Sequence, residues 1–380
     1  VLTYLTDEQR AAAARFRAFA QERIAPHAAT ADRDQRLPRE VVDALARAGH
    51  LGATLGKEWG GAELDMIDYG LLTEQLGRVC QNVRNFVACA DMVCLALARW
   101  GTAEQRERWL PAIVAGTAVA AFALTEPDVG SDAASVGTEA TPDGDTVVLN
   151  GHKKWISFGE IADVYLVFAT YEGGHTAFLV ERDTPGLTVE PIRDLLGLRG
   201  SQLGELRLDG CRVPATSMVG LPGTGLVFVA SSALDLGRYS TAWGAVGLAQ
   251  ACLEVAGAHA AERVQFGTPI ADHQLVRRLL ADMVTDVSAV RLLCHHAGAA
   301  KDGGDMDTVH PTLMAKYRSS TVAVRTATDA VQILGAHGVG ADTAVSRLYR
   351  DAKVLEIIEG TTQIQQSILG RFAVDSVRHG

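Results

Sequence analysis

Apolar residues recur at helical spacing over roughly the first 115 residues, give way to short β-rich runs, and then return to helical spacing. In the first stretch, Thr6 and Gln9 stand at the spacing of a capping box, and Ala12, Phe16, Phe19, Ala20 and Ile24 then share one helical face. Similar runs cover 38 to 48 and 66 to 100, interrupted by Lys57-Glu58-Trp59-Gly60-Gly61, which reads as a structural turn. From about 118 to 215 the runs Thr146 to Leu149, Val164 to Thr170, Thr176 to Val180 and Glu205 to Leu208 read as strands. Gly173-Gly174, Pro185-Gly186 and Gly210 punctuate them, which predicts a small antiparallel β domain. Beyond Gly220-Leu221-Pro222-Gly223-Thr224-Gly225, two stripes fit the core seams of a four-helix bundle. One is Val276, Leu280, Met283, Val287 and Val290; the other is Met314, Tyr317, Thr321, Val324, Thr328 and Val331. The expected division is a helical domain over 1–117, a β domain over 118–222 and a helical bundle over 223–380.

Composition narrows the function classes. The 380 residues are 48% hydrophobic and 21% charged, enough for an ample core and two or three subregions. A formal net charge of −10 does not support general affinity for nucleic acid or an anionic membrane, and favours soluble small-molecule chemistry. Cys80, Cys89, Cys94, Cys211, Cys252 and Cys294 are scattered without metal-ligand spacing, and read as reduced, packed thiols. Val1 to Glu8 carries acids where a signal peptide needs a basic region and an apolar core, and no stretch nears twenty uninterrupted apolar residues. The expectation is a cytoplasmic enzyme.

Candidate chemistry is concentrated in Ile357-Ile358-Glu359-Gly360-Thr361-Thr362-Gln363-Ile364-Gln365. The isoleucines offer an apolar wall, Gly360 breaks the backbone after the acid, and Thr361 or Thr362 can cap the next helix. Burial raises a carboxyl pKa toward the working pH, which suits Glu359 to abstracting a weakly acidic C–H proton. The alternative is a Glu in a helix-connecting turn. Gly220, Gly223 and Gly225 lack dinucleotide-binding spacing, and His295-His296 lacks a metal-binding context, so neither a nicotinamide nor a metal site is expected.

Six segments together resemble the acyl-CoA dehydrogenase family along nearly the whole chain. They are Leu124-Thr125-Glu126-Pro127-Asp128-Val129-Gly130-Ser131-Asp132, Asn150 to Ser157, Leu234-Asp235-Leu236-Gly237-Arg238, Arg263 to Pro269, Gln332 to Gly338, and the Glu359-Gly360-Thr361 segment. Ile358 stands where the family usually has an aromatic residue. The resemblance implies a helical domain, a β domain and a four-helix bundle around FAD. In the family the corresponding Glu takes the substrate α proton while flavin N5 accepts the β hydride, so Glu359 inherits the base role. Some relatives carry the base at the position held here by Gly237, so no second base competes.

The resemblance places Leu124, Thr125, Gly130 and Ser131 on a flavin and substrate loop, with Ser131 also near the acyl carrier. Trp155 would flank the flavin ring, with Ile156 and Ser157 beside it. Arg263 and Phe266 resemble residues that reach the FAD of a neighbouring subunit, and Gln332 with Gly335 the turn that receives its diphosphate part. Thr361 and Gln363 would complete the cofactor site. Asp235, Arg238 and Gly360 join Ser131 and Glu359 as substrate residues. The implied partners are an acyl thioester on coenzyme A or an acyl carrier protein, an electron-transfer flavoprotein, and further copies in a homodimer or homotetramer. Overall similarity also points toward the acyl-carrier-protein dehydrogenases that make methoxymalonyl or hydroxymalonyl units for polyketides. A catabolic short- or medium-chain dehydrogenase, a flavin oxidase and a non-catalytic flavin-binding relative stay open.

Overall fold

The computed structural model describes residues 5–379, so the Val1 to Tyr4 part of the N-terminal reading lies outside the described residues. Helix α1 (Asp7–Phe19) starts at the predicted capping box: the Gln9 amide donates to Thr6 Oγ1 at 3.1 Å and the Thr6 amide to Gln9 Oε1 at 3.1 Å. Its face of Ala12, Phe16, Ala20 and Ile24 is buried. Helices α2 (Ala28–Asp34), α3 (Arg39–Arg47), α4 (Met66–Val79), α5 (Gln81–Trp100) and α6 (Ala103–Val114) follow. Lys57–Trp59 is a single 3-10 turn, as expected.

The middle of the chain forms one sheet. Its strands are β1 (Ala120–Ala123), β2 (Glu139–Asp143), β3 (Thr146–Ile156), β4 (Val164–Tyr171), β5 (Gly174–Glu181), β6 (Leu187–Pro191), β7 (Gly204–Pro214) and β8 (Met218–Val219). The order is β6-β7-β3-β2-β4-β5-β8, mainly antiparallel, with β1 and β2 each joining β4 in parallel. All four predicted runs are strands. β3 runs past Leu149 as far as Ile156, which carries the Trp155 region along its end.

Helix α7 (Ser231–Glu262) leads into the short hairpin of β9 (Val264–Gln265) and β10 (Thr268–Pro269). Then come α8 (Gln274–Asp302), α9 (Val309–Leu334), α10 (Ala336–Val339), α11 (Ala344–Leu355) and α12 (Thr362–His379). Helix α7 is the axis of this part, packed on α4, α5, α8 and α9. Its approach to α4 depends on small residues: a Cβ on Gly247 would sit 2.0 Å from the Glu74 carbonyl oxygen. Among the described residues no helix is long and apolar enough to cross a membrane.

The α8 stripe holds, with Met283, Val287 and Val290 buried. The α9 stripe does not. Met314, Tyr317, Thr321 and Val324 are only half-buried and Thr328 is exposed, whereas Ala315, Lys316, Ser319, Val322, Ala323, Thr326 and Ala330 are buried. The seam is therefore rotated by about one residue. Small side chains let α9 lie close on α7, and that close backbone approach outweighs the larger side chains of the other face.

Candidate active site

After α11 the chain makes a turn in which Glu359 and Gly360 both take left-handed conformations, with φ of 56° and 87°. Donors from three helices hold it. Arg238 Nε on α7 donates to the Glu359 carbonyl at 3.1 Å, and Lys316 Nζ on α9 to the Gly360 carbonyl at 2.7 Å. Gln365 Nε2 on α12 reaches both carbonyls, at 3.4 and 3.1 Å. Of the two candidate caps it is Thr361 that caps α12, accepting from the Ile364 amide at 3.3 Å.

The Glu359 side chain points back to α7. A Cβ placed on Gly237 would stand 2.7 Å from both Cδ and Oε2 of Glu359, and 2.7 Å from Met92 Sδ. The carboxyl thus occupies space that exists because position 237 has no side chain. Ile357 is 55% exposed and provides no wall; the enclosure comes from α5 and α7. Oε2 is buried and has no hydrogen-bond partner among the described residues. Burial pushes the carboxyl pKa up, opposed by the positive charges of Arg238, Arg84 and Lys316. A carboxylate in that state can accept a proton from carbon, because its basicity is raised and no competing donor occupies it.

Close by, the loop after β1 is fastened to the end of β3. Lys153 Nζ donates to Glu126 Oε1 at 2.7 Å and to the Leu124 carbonyl at 3.1 Å, while the Lys154 amide donates to the Thr125 carbonyl at 2.9 Å. Glu126 also takes the Gly137 amide at 2.8 Å and the Thr138 amide at 2.9 Å. Burial brings Lys153 down to about 8, against the pull of Glu126. For Glu126, burial pushes upward but the Lys153 and Thr138 hydrogen bonds outweigh it and leave its pKa below the usual value. Lys153→Met would leave Glu126 without its cation, and is expected to destabilise the fold by about 3–5 kcal/mol, read from urea unfolding.

The pairing of β3 with β7 shifts register between Lys153 and Ile156. At that bulge Trp155 has φ 63° and is 50% exposed, with Lys154 Nζ 5.4 Å from its ring centre. A core tryptophan is excluded, and Ile156 is buried instead. Ser157 accepts from Asn85 Nδ2 on α5 at 3.2 Å. An outturned aromatic face, beside a loop fixed through Leu124 and Thr125, fits one side of a planar ring system such as a flavin. Gly130 and Ser131 lie on the exposed loop beyond, where a Cβ on Gly130 would meet nothing within 4 Å. Asp235 is paired with Lys301 of α8, and its buried Oδ1 has no hydrogen-bond partner among the described residues.

Four further candidates stand elsewhere. Arg263 caps the far end of α7, and Phe266, in the hairpin, is 96% exposed. From Arg238 to Arg263 the helix advances about 37 Å at 1.5 Å per residue. Gln332 and Gly335 end α9 at that same end of the bundle, where the rings of His259 and His337 lie 5.7 Å apart, tilted by 49°. One chain therefore does not bring these four together with Glu359. Thr361 and Gln363 do lie at the Glu359 turn, Gln363 exposed.

Sequence reasoning missed Arg84, Met92, Lys316 and Gln365. A lone lysine in the run of small residues along α9 was the available signal for Lys316; for Met92 nothing distinguished it from other core residues.

Comparison with known proteins matches this architecture throughout. The family models described as acyl-CoA dehydrogenase N-terminal, middle and C-terminal domains match residues 6–117, 121–211 and 223–374. The chain is 38% identical to the probable acyl-CoA dehydrogenase FadE25 of Mycobacterium tuberculosis, over 96% of this chain and 94% of that protein. A glutaryl-CoA dehydrogenase of Mycobacterium smegmatis, solved in complex with FADH2, superposes with a TM-score of 0.94 at 32% identity, covering 97% of this chain and 95% of the other. FkbI, solved for its part in biosynthesis of the methoxymalonyl extender unit of a polyketide immunosuppressant, gives a TM-score of 0.87 at 34% identity, covering 96% and 99%. The chain belongs to the acyl-CoA dehydrogenase family, flavoprotein oxidoreductases acting on CH–CH donors.

Proposed function

We propose that this chain is a FAD-dependent acyl-thioester dehydrogenase in which Glu359 is the base. The observation that carries the reading is the Glu359 carboxyl in the space left by Gly237, with a buried oxygen that has no hydrogen-bond partner among the described residues. Leu124, Thr125, Trp155, Ile156 and Ser157 would hold the flavin ring, and Gly130 and Ser131 would border it. When bound, FAD supplies the hydride acceptor that no protein side chain provides. Glu359 takes the proton from the substrate carbon, Arg238 holds the turn that aims it, and the packing of α5 against α7 keeps water from the carboxyl. Asp235 of α7 and Gly360 of the turn would face the substrate. Arg263, about 37 Å along α7 from Arg238, with Phe266 in the hairpin and Gln332 and Gly335 at the same end of the bundle, would serve the cofactor of a second copy, so the working unit would be a homo-oligomer of chains each divided at 117/118 and 222/223.

We further infer a short, oxygenated acyl group on a carrier protein as the substrate. Support comes from the likeness to FkbI and from Arg84. Arg84 is fully buried and donates to Gln81 and Thr241 at 3.2 Å each, yet among the described residues Nη2 has no hydrogen-bond partner and no carboxylate lies within ion-pair distance. A buried guanidinium with a free donor suits a polar acyl group better than an alkyl chain. The second reading, a catabolic short- or medium-chain acyl-CoA dehydrogenase, is favoured by the likeness to FadE25, which is named a probable acyl-CoA dehydrogenase. Side-by-side turnover of short hydroxyacyl and plain acyl thioesters, each on coenzyme A and on a carrier protein, separates them. We expect the hydroxyacyl carrier-protein thioester to have the higher kcat/KM; a clear preference for a medium-length acyl-CoA would remove the first reading. Re-oxidation by an electron-transfer flavoprotein, rather than stoichiometric hydrogen peroxide under air, is the expected second half-reaction.

A further inference from the structure

Lys316 is the one charged side chain among the buried positions of α9. Its neighbours on that face, Ala315, Ser319, Ser320 and Ala323, are small, and packing against α7 gives no reason for an ammonium there. Burying a charge carries a large cost unless something compensates it. Among the described residues no carboxylate lies within ion-pair distance of Lys316, and its hydrogen bond goes to the carbonyl of Gly360, the residue after the proposed base. We propose that Lys316 is a positioning residue for Glu359: its ammonium fixes the Glu359–Gly360 turn and supplies the positive charge behind the carboxylate. This rests on the reading of Glu359 as the base.

The surroundings support the coupling. Burial pulls Lys316 down to about 7, and the negative charge of Glu359 is the largest influence in the opposite direction. The other charged groups facing it are Arg238 of α7 and Arg84 of α5, which lower it, and Glu356 at the end of α11, which raises it. Glu359 in turn faces Arg238, Arg84 and Lys316. Arg238 holds the Glu359 carbonyl and Lys316 the Gly360 carbonyl, so the two successive left-handed residues are each secured by a cation from a different helix. Gln365 shares both carbonyls but brings no charge.

The test is the pH dependence of flavin reduction by a thioester, followed anaerobically in the holoenzyme, for wild type and Lys316→Met. A base must be ionised to act, and removing a nearby cation raises the pH at which Glu359 ionises. The acidic limb is therefore expected to move up by about one pH unit or more, a loss of tenfold or more in rate on that limb. Lys316→Arg should restore the position of the limb even where its rate is lower. An unmoved limb in Lys316→Met, with only a lower melting temperature, would assign Lys316 to packing and overturn the proposal. If Lys316→Met does not fold, linkage gives a second measurement, since two groups that shift one another do so reciprocally. The Lys316 ammonium, followed by NMR with isotope-labelled lysine, should titrate at lower pH in Glu359→Gln than in wild type; an unchanged titration overturns the proposal. Full turnover in Glu359→Gln would instead remove the base assignment. An inactive Glu359→Gln with an unmoved limb in Lys316→Met would remove only the inference about Lys316.

Discussion

Glu359→Gln is expected to lower turnover of any thioester substrate by about a thousandfold, within the range that general-base removal typically costs. The amide is nearly isosteric, so the space beside Gly237 and the donors on the Glu359 and Gly360 carbonyls should survive, and FAD should remain bound. Steady-state turnover with an artificial electron acceptor, measured beside the flavin content, checks both halves of the expectation. The pH dependence has a definite sign. Burial raises the Glu359 carboxyl pKa while three cations oppose it, so wild-type activity should fall as pH drops through a value above the ordinary carboxylate range. Loss of flavin together with activity would instead mean that the side chain supports the cofactor site.

Gly237→Ala is expected to be nearly as damaging, though it adds one methyl group to a helix. Alanine favours helix over glycine by about 1 kcal/mol, so α7 itself should not weaken. The new Cβ would stand 2.7 Å from the Glu359 carboxyl and from Met92 Sδ, closer than real contacts permit. The backbone of α7 is held by α4, α5, α8 and α9, so the Glu359 side chain must move instead. A displacement of about 1 Å at a reacting group can cost on the order of a hundredfold in rate. Circular dichroism and flavin content should stay as in wild type while kcat falls by that factor. Unchanged kcat would show that Glu359 has room to spare and that the fit at position 237 does not matter.

The helix-strand-helix order was legible because period and turn residues are local signals. The capping box at Thr6, the four strand runs and the turn at Lys57 all depend on residues within a few positions of each other. The α9 seam was misread because its buried face is mostly Ala, Ser and Thr, which a search for large apolar residues passes over. That face belongs to α9 only in combination with the small residues of α7, and one helix's sequence does not contain its partner.

The candidate site divides the same way. Glu359, Gly237 and Arg238 were each legible from their segments, but that Gly237 makes room for the Glu359 carboxyl is a tertiary fact. Ile357 was expected to wall the acid together with Ile358 because both stand just before it in sequence, but Ile357 is exposed, and the left-handed backbone of Glu359 turns the carboxyl toward α5 and α7. Arg84 carries no local signature and Lys316 only its place in a run of small residues; their meaning comes from charge buried around the Glu359 turn, with no carboxylate at ion-pair distance among the described residues.

The most direct measurement is the absorption spectrum of the purified holoenzyme, followed anaerobically while short hydroxyacyl and plain acyl thioesters are added to wild type and to Glu359→Gln. The flavin band of the wild type is expected to bleach with at least one thioester, and that of Glu359→Gln to stay unbleached over the same time. Equal bleaching in the two proteins, or no flavin even after FAD is added back, would contradict the account.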